Sequence, residues 1–83
     1  MKVIYTKHAE EKLKRTDIKK FGISKKTIKE VLNYPESTTK TKYGDYAAVS
    51  QLDSGHDLRV IYGIIDAGFK VITFHIARKD RYK

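Results

Sequence analysis

The chain has 83 residues, enough for one folded domain with a small core. Hydrophobic residues make up 40% and charged residues 34%, which describes a globular chain rather than a disordered one, and the absence of cysteine excludes disulfides and cysteine-ligated zinc. Lys and Arg number 18 against 10 Asp and Glu, so the net charge of +8 favours polyanionic partners, either nucleic acid or an acidic protein.

The beginning of the chain predicts a strand followed by a helix. The opening KVIY is β-prone. Thr6 can cap a first helix that runs from Lys7 to about Lys19, and Gly22 stops it. The apolar residues of this segment recur less regularly towards its end.

A second helix has clearer boundaries. Ser24 is the predicted N-cap, and Ile28, Val31 and Leu32 fall on one face at i, i+3, i+4 spacing. Pro35 disfavours helical geometry at the residue before it and therefore ends the helix. Both predicted helices are amphipathic, so each needs an apolar surface to cover.

The rest of the chain predicts a sheet. Four β-prone runs, TTKTKY, YAAVSQL, LRVIYGII and FKVITFHIA, are separated by short turns rich in Gly and Asp. Consecutive strands with short turns form an antiparallel meander. The element order is therefore β-α-α-β-β-β-β, an α+β fold in which two helices pack on one face of an antiparallel sheet.

The strand register decides which side chains share a face of that sheet. In the last hairpin, one register separates apolar from polar residues and places Arg59 opposite His75. The apolar pairs in this register are Leu58–Ile76, Val60–Phe74 and Tyr62–Ile72. Arg59 in a central hairpin needs a partner or a ligand, because an unpaired buried cation is costly.

Extending the register outward adds polar residues to the face that carries Arg59. If Leu52 faces Leu58, Gln51 falls beside Arg59 on this face. If Tyr43 faces Tyr46, Lys40 and Lys42 join it. The predicted polar surface comprises Lys40, Lys42, Gln51, Arg59 and His75, and Arg78, Arg81 and Tyr82 follow it directly in the sequence. Solvation alone is the alternative explanation, since a sheet covered on one face by helices has a polar outer face in any case.

Membrane, secretion and metal signals are missing from the sequence. No apolar run approaches the roughly 18–20 residues of a membrane span and no signal peptide opens the chain, so we expect a cytoplasmic protein. His8, His56 and His75 are too far apart in the sequence to predict a metal site. The sequence predicts no other cofactor.

Residues 57–83, DLRVIYGIIDAGFKVITFHIARKDRYK, resemble the C-terminal half of toxins of the RelE/ParE superfamily. Those chains carry an R-V-I-Y strand, a turn, an apolar strand and a basic ending with a tyrosine. In this resemblance Arg59 matches the strand arginine, Arg78 and Arg81 match the terminal basic residues, and Tyr82 matches the terminal tyrosine. The resemblance implies a single RelE-like domain over residues 1–83 and an acidic antitoxin as partner.

The resemblance also implies two different activities. RelE-type toxins cleave mRNA in the ribosomal A site, whereas ParE-type relatives inhibit DNA gyrase without being nucleases. RNA cleavage needs a base for the 2′-OH, cations for the charge on phosphorus, and an acid for the departing 5′-oxygen. The catalytic candidates are Arg59, His75, Arg78 and Tyr82, and the candidates for binding nucleic acid are Lys40, Lys42, Gln51 and Arg81.

We therefore expect a RelE-like toxin, or a domain derived from one, that binds RNA and cleaves mRNA without a metal ion, on the ribosome or free of it. Two alternatives use the same basic face without catalysis. One is a ParE-like inhibitor or a module that binds nucleic acid, and the other is a scaffold that binds an acidic protein.

Overall fold

A five-stranded mixed sheet with three short helices on one face makes up residues 2–78, the part of the chain that this computed structural model describes. The α+β class predicted from the sequence is confirmed. In chain order the elements are β1 (Lys2–Tyr5), α1 (Lys7–Leu13), α2 (Thr16–Lys20), α3 (Lys25–Asn33), β2 (Ser37–Lys40), β3 (Tyr46–Asp53), β4 (His56–Ile65) and β5 (Gly68–Arg78). Among these residues, no helix is long and apolar enough to cross a membrane.

The sheet has the order β1-β5-β4-β3-β2 and is mixed rather than antiparallel. β2 to β5 form the predicted antiparallel meander, but β1 runs parallel to β5 and pairs with Gly68–Val71. The prediction of a wholly antiparallel sheet was wrong, because the direction of a four-residue strand depends on where the helices bring it back to the sheet. Gly68 permits this junction, since a Cβ there would lie 1.8 Å from the carbonyl oxygen of Lys2.

The predicted first helix is two helices, α1 and α2, with a break at Lys14 and Arg15. In one continuous helix Ile18 would lie five residues after Leu13, about 140° away around the helix axis, and would point away from the core. The break turns α2 so that Ile18 is buried. Burial of this side chain is thus the physical reason why two helices replace the predicted one.

α3 confirms the predicted second helix. The hydroxyl of Ser24 accepts a hydrogen bond from the backbone N–H of Thr27, and the Thr27 hydroxyl in turn accepts one from the N–H of Ser24, which completes a capping box. Ile28, Val31 and Leu32 are buried on its inner face, as predicted. α3 ends at Asn33, two residues before the proline.

The core lies between the helices and one face of the sheet. Its sheet residues are Ala48, Leu58, Val60, Tyr62, Val71 and Phe74, and its helical residues are Ala9, Ile18, Ile28, Val31 and Leu32, with Ile23 from the α2–α3 loop. The predicted burial of Val60, Tyr62 and Phe74 is therefore confirmed.

A β-bulge in β5 changes one of the predicted pairs. The register shifts between Ile61 and Tyr62, so Tyr62 pairs with Val71 rather than with Ile72. The extra residue places both Val71 and Phe74 in the core, although they are three positions apart, and leaves Ile72 only half-buried. Strict alternation predicted that Ile72, rather than Val71, would be in the core. Alternation alone cannot predict a bulge, because a bulge adds one residue to the strand.

Candidate functional site

Arg59 and His75 form the cross-strand pair that the register predicted. They are directly opposite in the β4–β5 ladder, and Nη1 of Arg59 donates to Nε2 of His75 at 3.3 Å. Because a guanidinium has no acceptor, Nε2 must be the unprotonated nitrogen, and the ring is neutral with its proton on Nδ1. Burial, and then the charges of Lys12 and Arg59, lower the pKa of His75, which agrees with a neutral ring.

Lys40 does not share a face with this pair. It is opposite Tyr46, whose own partner is Tyr62, so Lys40 lies at the β2 edge on the helix-covered side of the sheet. In β2, Ser37 and Thr39 lie on the face that carries Arg59. The predicted placement was wrong, because β2 ends at Lys40 and residues 41–45 form a loop in place of a tight turn.

Lys42 is also misplaced by the prediction, whereas Gln51 is on the predicted face. Lys42 lies in the loop between β2 and β3, and its Nζ is 5.2 Å from the ring centroid of Tyr43. Gln51 pairs with Asp57, two positions away from the predicted register, and Val49 is the residue opposite Arg59. A shift of two positions preserves the face, because side chains alternate with a period of two.

A cleft of about 910 Å³ opens along the outer edge of β5, beside α1 and α2. Within residues 2–78, β1 covers this edge only as far as Val71, so the strand beyond it faces the helices and solvent. We call this space the β5-edge cleft. It is lined by Lys12, Arg15, Asp17, Ile18, Phe21, His56, His75, Ile76, Ala77 and Arg78.

The cleft contains two of the predicted catalytic residues. His75 and Arg78 line it directly, whereas Arg59 is connected to it through the hydrogen bond to His75. Arg78 is exposed and is opposite His56 in the β4–β5 ladder. The predictions for Arg81 and Tyr82 concern residues outside the described part of the chain.

α1 is attached to β5 in a way that brings Lys12 to the cleft. The hydroxyl of Thr6 accepts from the N–H of Ala9 at 3.1 Å and donates to the carbonyl of Ile72 at 2.7 Å. The helix therefore begins against β5, and its last turn places Nζ of Lys12 5.5 Å from the ring centroid of Phe74.

The break between α1 and α2 supplies the opposite wall. Arg15 is the N-cap residue of α2, and its guanidinium donates to both carboxylate oxygens of Asp17, at 3.1 and 2.9 Å. Hydrogen bonding to Arg15 lowers the pKa of Asp17. Arg15 is thereby oriented, although its charge is partly balanced by this neighbour.

His56 is held by two contacts. The carboxylate of Asp53 accepts a hydrogen bond from Nδ1 at 2.9 Å, and the ring of Phe21 packs edge-to-face against the imidazole with centroids 5.1 Å apart. The hydrogen bond to His56 lowers the pKa of Asp53. With its proton on Nδ1, His56 has Nε2 as the nitrogen that can exchange a proton.

The electrostatics of the cleft favour an anion. Lys12, Arg15 and Arg78 line it, and Asp17 is the acidic residue among its lining side chains. Burial, and then the charge of Arg15, lower the pKa of Lys12, so Arg15 repels the Lys12 ammonium on this wall. A bound phosphate would relieve that repulsion and accept charge-assisted hydrogen bonds.

The site candidates predicted from the sequence did not include several side chains of the cleft, among them Lys12, Arg15, Asp17, Phe21 and His56. Lys12 and Arg15 are one helical turn apart, a spacing that could have placed them together at the end of a helix. Asp53, three residues before His56 across a tight turn, was a further signal. The sequence does not connect the pair Lys12 and Arg15 with the pair Asp53 and His56, because the packing of α1 and α2 against β5 brings them together.

In comparison with known proteins, no family model, no curated protein and no solved structure matches the chain. The resemblance to RelE/ParE toxins therefore stays a prediction.

Proposed function

We propose that this chain is a RelE-like toxin, or a domain derived from one, that binds RNA in the β5-edge cleft and cleaves it without a metal ion in the cytoplasm. The observation that supports the proposal is the presence of three cationic side chains and two histidines in one space of about 910 Å³. Cationic side chains suit the phosphates of RNA, and histidine is the side chain that exchanges protons most readily near neutral pH.

The reaction uses the 2′-hydroxyl of the RNA as nucleophile. The 2′-oxygen attacks phosphorus, the bond to the 5′-oxygen breaks, and the products are a 2′,3′-cyclic phosphate and a 5′-hydroxyl. A base takes the 2′-OH proton, an acid supplies a proton to the 5′-oxygen, and cations stabilise the added charge on phosphorus.

The residues of the cleft can take these roles. Lys12 and Arg78 bind the phosphate, and Nε2 of His56 exchanges a proton while Asp53 holds Nδ1. His75 is neutral, so its Nε2 can act as a base once Arg59 turns from the imidazole to a phosphate oxygen. This arrangement gives one cationic clamp and two proton-exchange groups.

The Arg59–His75 hydrogen bond favours a second candidate function, a non-catalytic ParE-like inhibitor or a module that binds nucleic acid. That bond occupies the lone pair that a base would use. In this case the same cations bind phosphates and no bond is broken. Either function is compatible with an acidic antitoxin, since the chain carries a net charge of +8.

The test measures cleavage of labelled single-stranded RNA by the purified chain in the presence of EDTA, and cleavage of message on translating ribosomes. The expected products end in a 2′,3′-cyclic phosphate, and a 2′-deoxy nucleotide at the cleaved position should block the reaction. Arg78→Ala should slow cleavage by about 10²–10³, the loss seen when one group that stabilises transition-state charge is removed. Lys70→Ala removes an exposed cation outside the cleft and should have little effect.

Three outcomes would change the assignment. RNA binding that depends on Arg78 but gives no cleavage on either substrate would select the non-catalytic function. Equal activity of Arg78→Ala and Lys70→Ala would place the reaction elsewhere in the chain. A chain that neither binds nor cleaves RNA would contradict the nuclease and the RNA-binding module, and would leave the ParE-like inhibitor as the remaining candidate.

A further inference from the structure

Positive charge is concentrated in the helical part of the chain. Residues 7–33, from the start of α1 to the end of α3, contain nine Lys and Arg against four Asp and Glu, a net charge of +5. The other 56 residues together carry +3. A third of the chain thus carries more than half of the net charge, on the outer side of the layer that covers the core.

Two grooves outside the β5-edge cleft are lined by lysines of this helical segment. One, of about 370 Å³, lies between α1, α2 and the start of α3, and the other, of about 470 Å³, lies between α3 and β1. Both are lined by Lys25, and the first also by Lys14, the neighbour of Arg15 in the β5-edge cleft. We call the lysines that line these grooves the helical-layer path: Lys14, Lys19, Lys25, Lys26 and Lys29.

Lys25 neutralises the acidic residue along this path. Its Nζ is 2.6 Å from Oε1 of Glu10 and 4.8 Å from the ring centroid of Tyr5. The hydrogen bond to Glu10 raises the pKa of Lys25, which favours the charged form of this lysine. Glu10 lines the groove of about 370 Å³, and its contact with Lys25 reduces its repulsion of a polyanion.

The other four lysines of the path are exposed, and among the described residues they take part in no ion pair. Each can therefore turn towards a phosphate without breaking an ion pair between described residues. Together with Lys12 and Arg15 of the β5-edge cleft, they place cations in three neighbouring stretches of the chain, at the edge of β5, between the helices and beside β1.

We infer that a single-stranded RNA bound in the β5-edge cleft continues along the helical-layer path, with its phosphates on Lys14, Lys19, Lys26 and Lys29. The identity of the ligand rests on the proposed function. The path turns at the corner between α1 and α2, on a molecule whose longest dimension is 34 Å. A duplex, with a persistence length of about 150 base pairs, is too stiff to follow it, whereas a single strand bends freely.

The test compares two triple variants with the same net charge. The path variant is Lys14→Gln, Lys26→Gln, Lys29→Gln, and the control variant is Lys2→Gln, Lys42→Gln, Lys70→Gln, whose lysines lie outside the cleft and the path. Affinity is measured by fluorescence anisotropy at several salt concentrations, with RNA oligonucleotides of about 4 and about 16 nucleotides, the range of single-stranded site sizes.

The path variant should lose affinity for the long oligonucleotide and keep that of the wild type for the short one. Three lost phosphate contacts, at about 0.7 each, should reduce the slope of log affinity against log salt by about 2. The control variant should retain a slope close to that of the wild type. Circular dichroism of each variant confirms that the fold is intact.

The outcomes separate this inference from the proposed function. Equal losses in the two triple variants would show that net charge matters and its position does not, which overturns the inference. Equal losses of affinity of the path variant for the short and the long oligonucleotide would also overturn it, because the path lysines would then contact the same nucleotides as the cleft. A path variant that behaves as wild type, with a short oligonucleotide that still depends on Arg78, would refute the path and leave the cleft in place.

Discussion

His75 differs from an ordinary surface histidine in what surrounds it. Its imidazole is half-buried, accepts a hydrogen bond from Arg59, and lies near Lys12 in the β5-edge cleft. Each of these conditions disfavours the imidazolium form. The residue is therefore a neutral group within a cationic site, and its protonation is coupled to whatever anion the cleft binds.

At the residue scale we predict a pH effect on stability that depends on His75. Burial, then Lys12 and Arg59, lower the folded-state pKa of His75, while in the unfolded chain it stays near the usual value of about 6.5. The unfolded chain thus takes up the proton first as pH falls. The free energy of unfolding should decrease as pH drops below about 6.5, and level off below the folded-state pKa.

Urea unfolding between pH 5 and 8 measures this effect. His75→Gln should remove part of the pH dependence, whereas His8→Gln, which replaces an exposed histidine on α1, should keep it. Asp17 and Asp53 do not interfere, because their pKa values are lowered and they titrate in more acidic solution. An identical pH profile for wild type and His75→Gln would contradict the prediction.

At the scale of elements, the junction between β1 and β5 closes the sheet. Residues of β1 pair in parallel with Gly68–Val71, and Gly68 lies directly against the backbone of Lys2. β1 also leads into Thr6, whose hydroxyl bonds to Ile72 and sets the start of α1. This junction therefore determines where Lys12 meets the β5-edge cleft.

We predict that Gly68→Ala destabilises the chain by at least about 1–3 kcal/mol, the usual cost of overpacking. The new Cβ would lie 1.8 Å from a backbone oxygen, which cannot move aside as a side chain can. Gly63→Ala is the matched control, since a Cβ at that position in β4 meets nothing within 4 Å. Urea unfolding measures the free energy of unfolding of both variants. Equal values would show that β1 does not pack on Gly68 as described.

The break between α1 and α2 is the second element that shapes the cleft. It buries Ile18, places Arg15 at the N-cap of α2, and lets Phe21 follow α2 to reach His56. A single helix over the same residues could not present Arg15 and bury Ile18 together. The same turn that completes the core thus also builds one wall of the site.

For the whole molecule, the uneven charge has an energetic cost. A net charge of +8 on 83 residues opposes the compact state through repulsion, and five of those charges belong to the helical segment 7–33. Arg15–Asp17 and Lys25–Glu10 are ion pairs between described residues of opposite charge, and both are exposed, so they offset little of this repulsion. Salt and bound polyanions should therefore both stabilise the fold.

We predict that the melting temperature rises as salt increases from about 0.01 to about 0.15 M, because the Debye length falls from about 30 to about 8 Å. At low salt the path variant should melt higher than the control variant, since it removes charge where the density is greatest. Differential scanning fluorimetry measures both effects. A melting temperature that falls with salt would show that ion pairs, rather than repulsion, dominate the surface electrostatics.

Sequence alone determined the features that depend on neighbours in the chain. The capping of α3 by Ser24, the β2–β5 meander and the Arg59–His75 pair follow from local punctuation and from alternation within one hairpin. Its errors came where local rules have exceptions. Because of the bulge in β5, Val71 is in the core where Ile72 was predicted. Because a loop replaces the predicted tight turn after β2, Lys40 lies on the opposite face from the predicted one.

Only the tertiary structure decided the features that depend on distant residues. The direction of β1, the break before Ile18 and the meeting of Lys12, Arg15, Phe21 and His56 all follow from packing the helices on one face and edge of the sheet. The sequence predicted a basic surface on the open face of the sheet, because the alternation of side chains along a strand assigns each charged residue to one face. Charge on short helices cannot be assigned in this way until their contacts with the core set their rotation and their order in space.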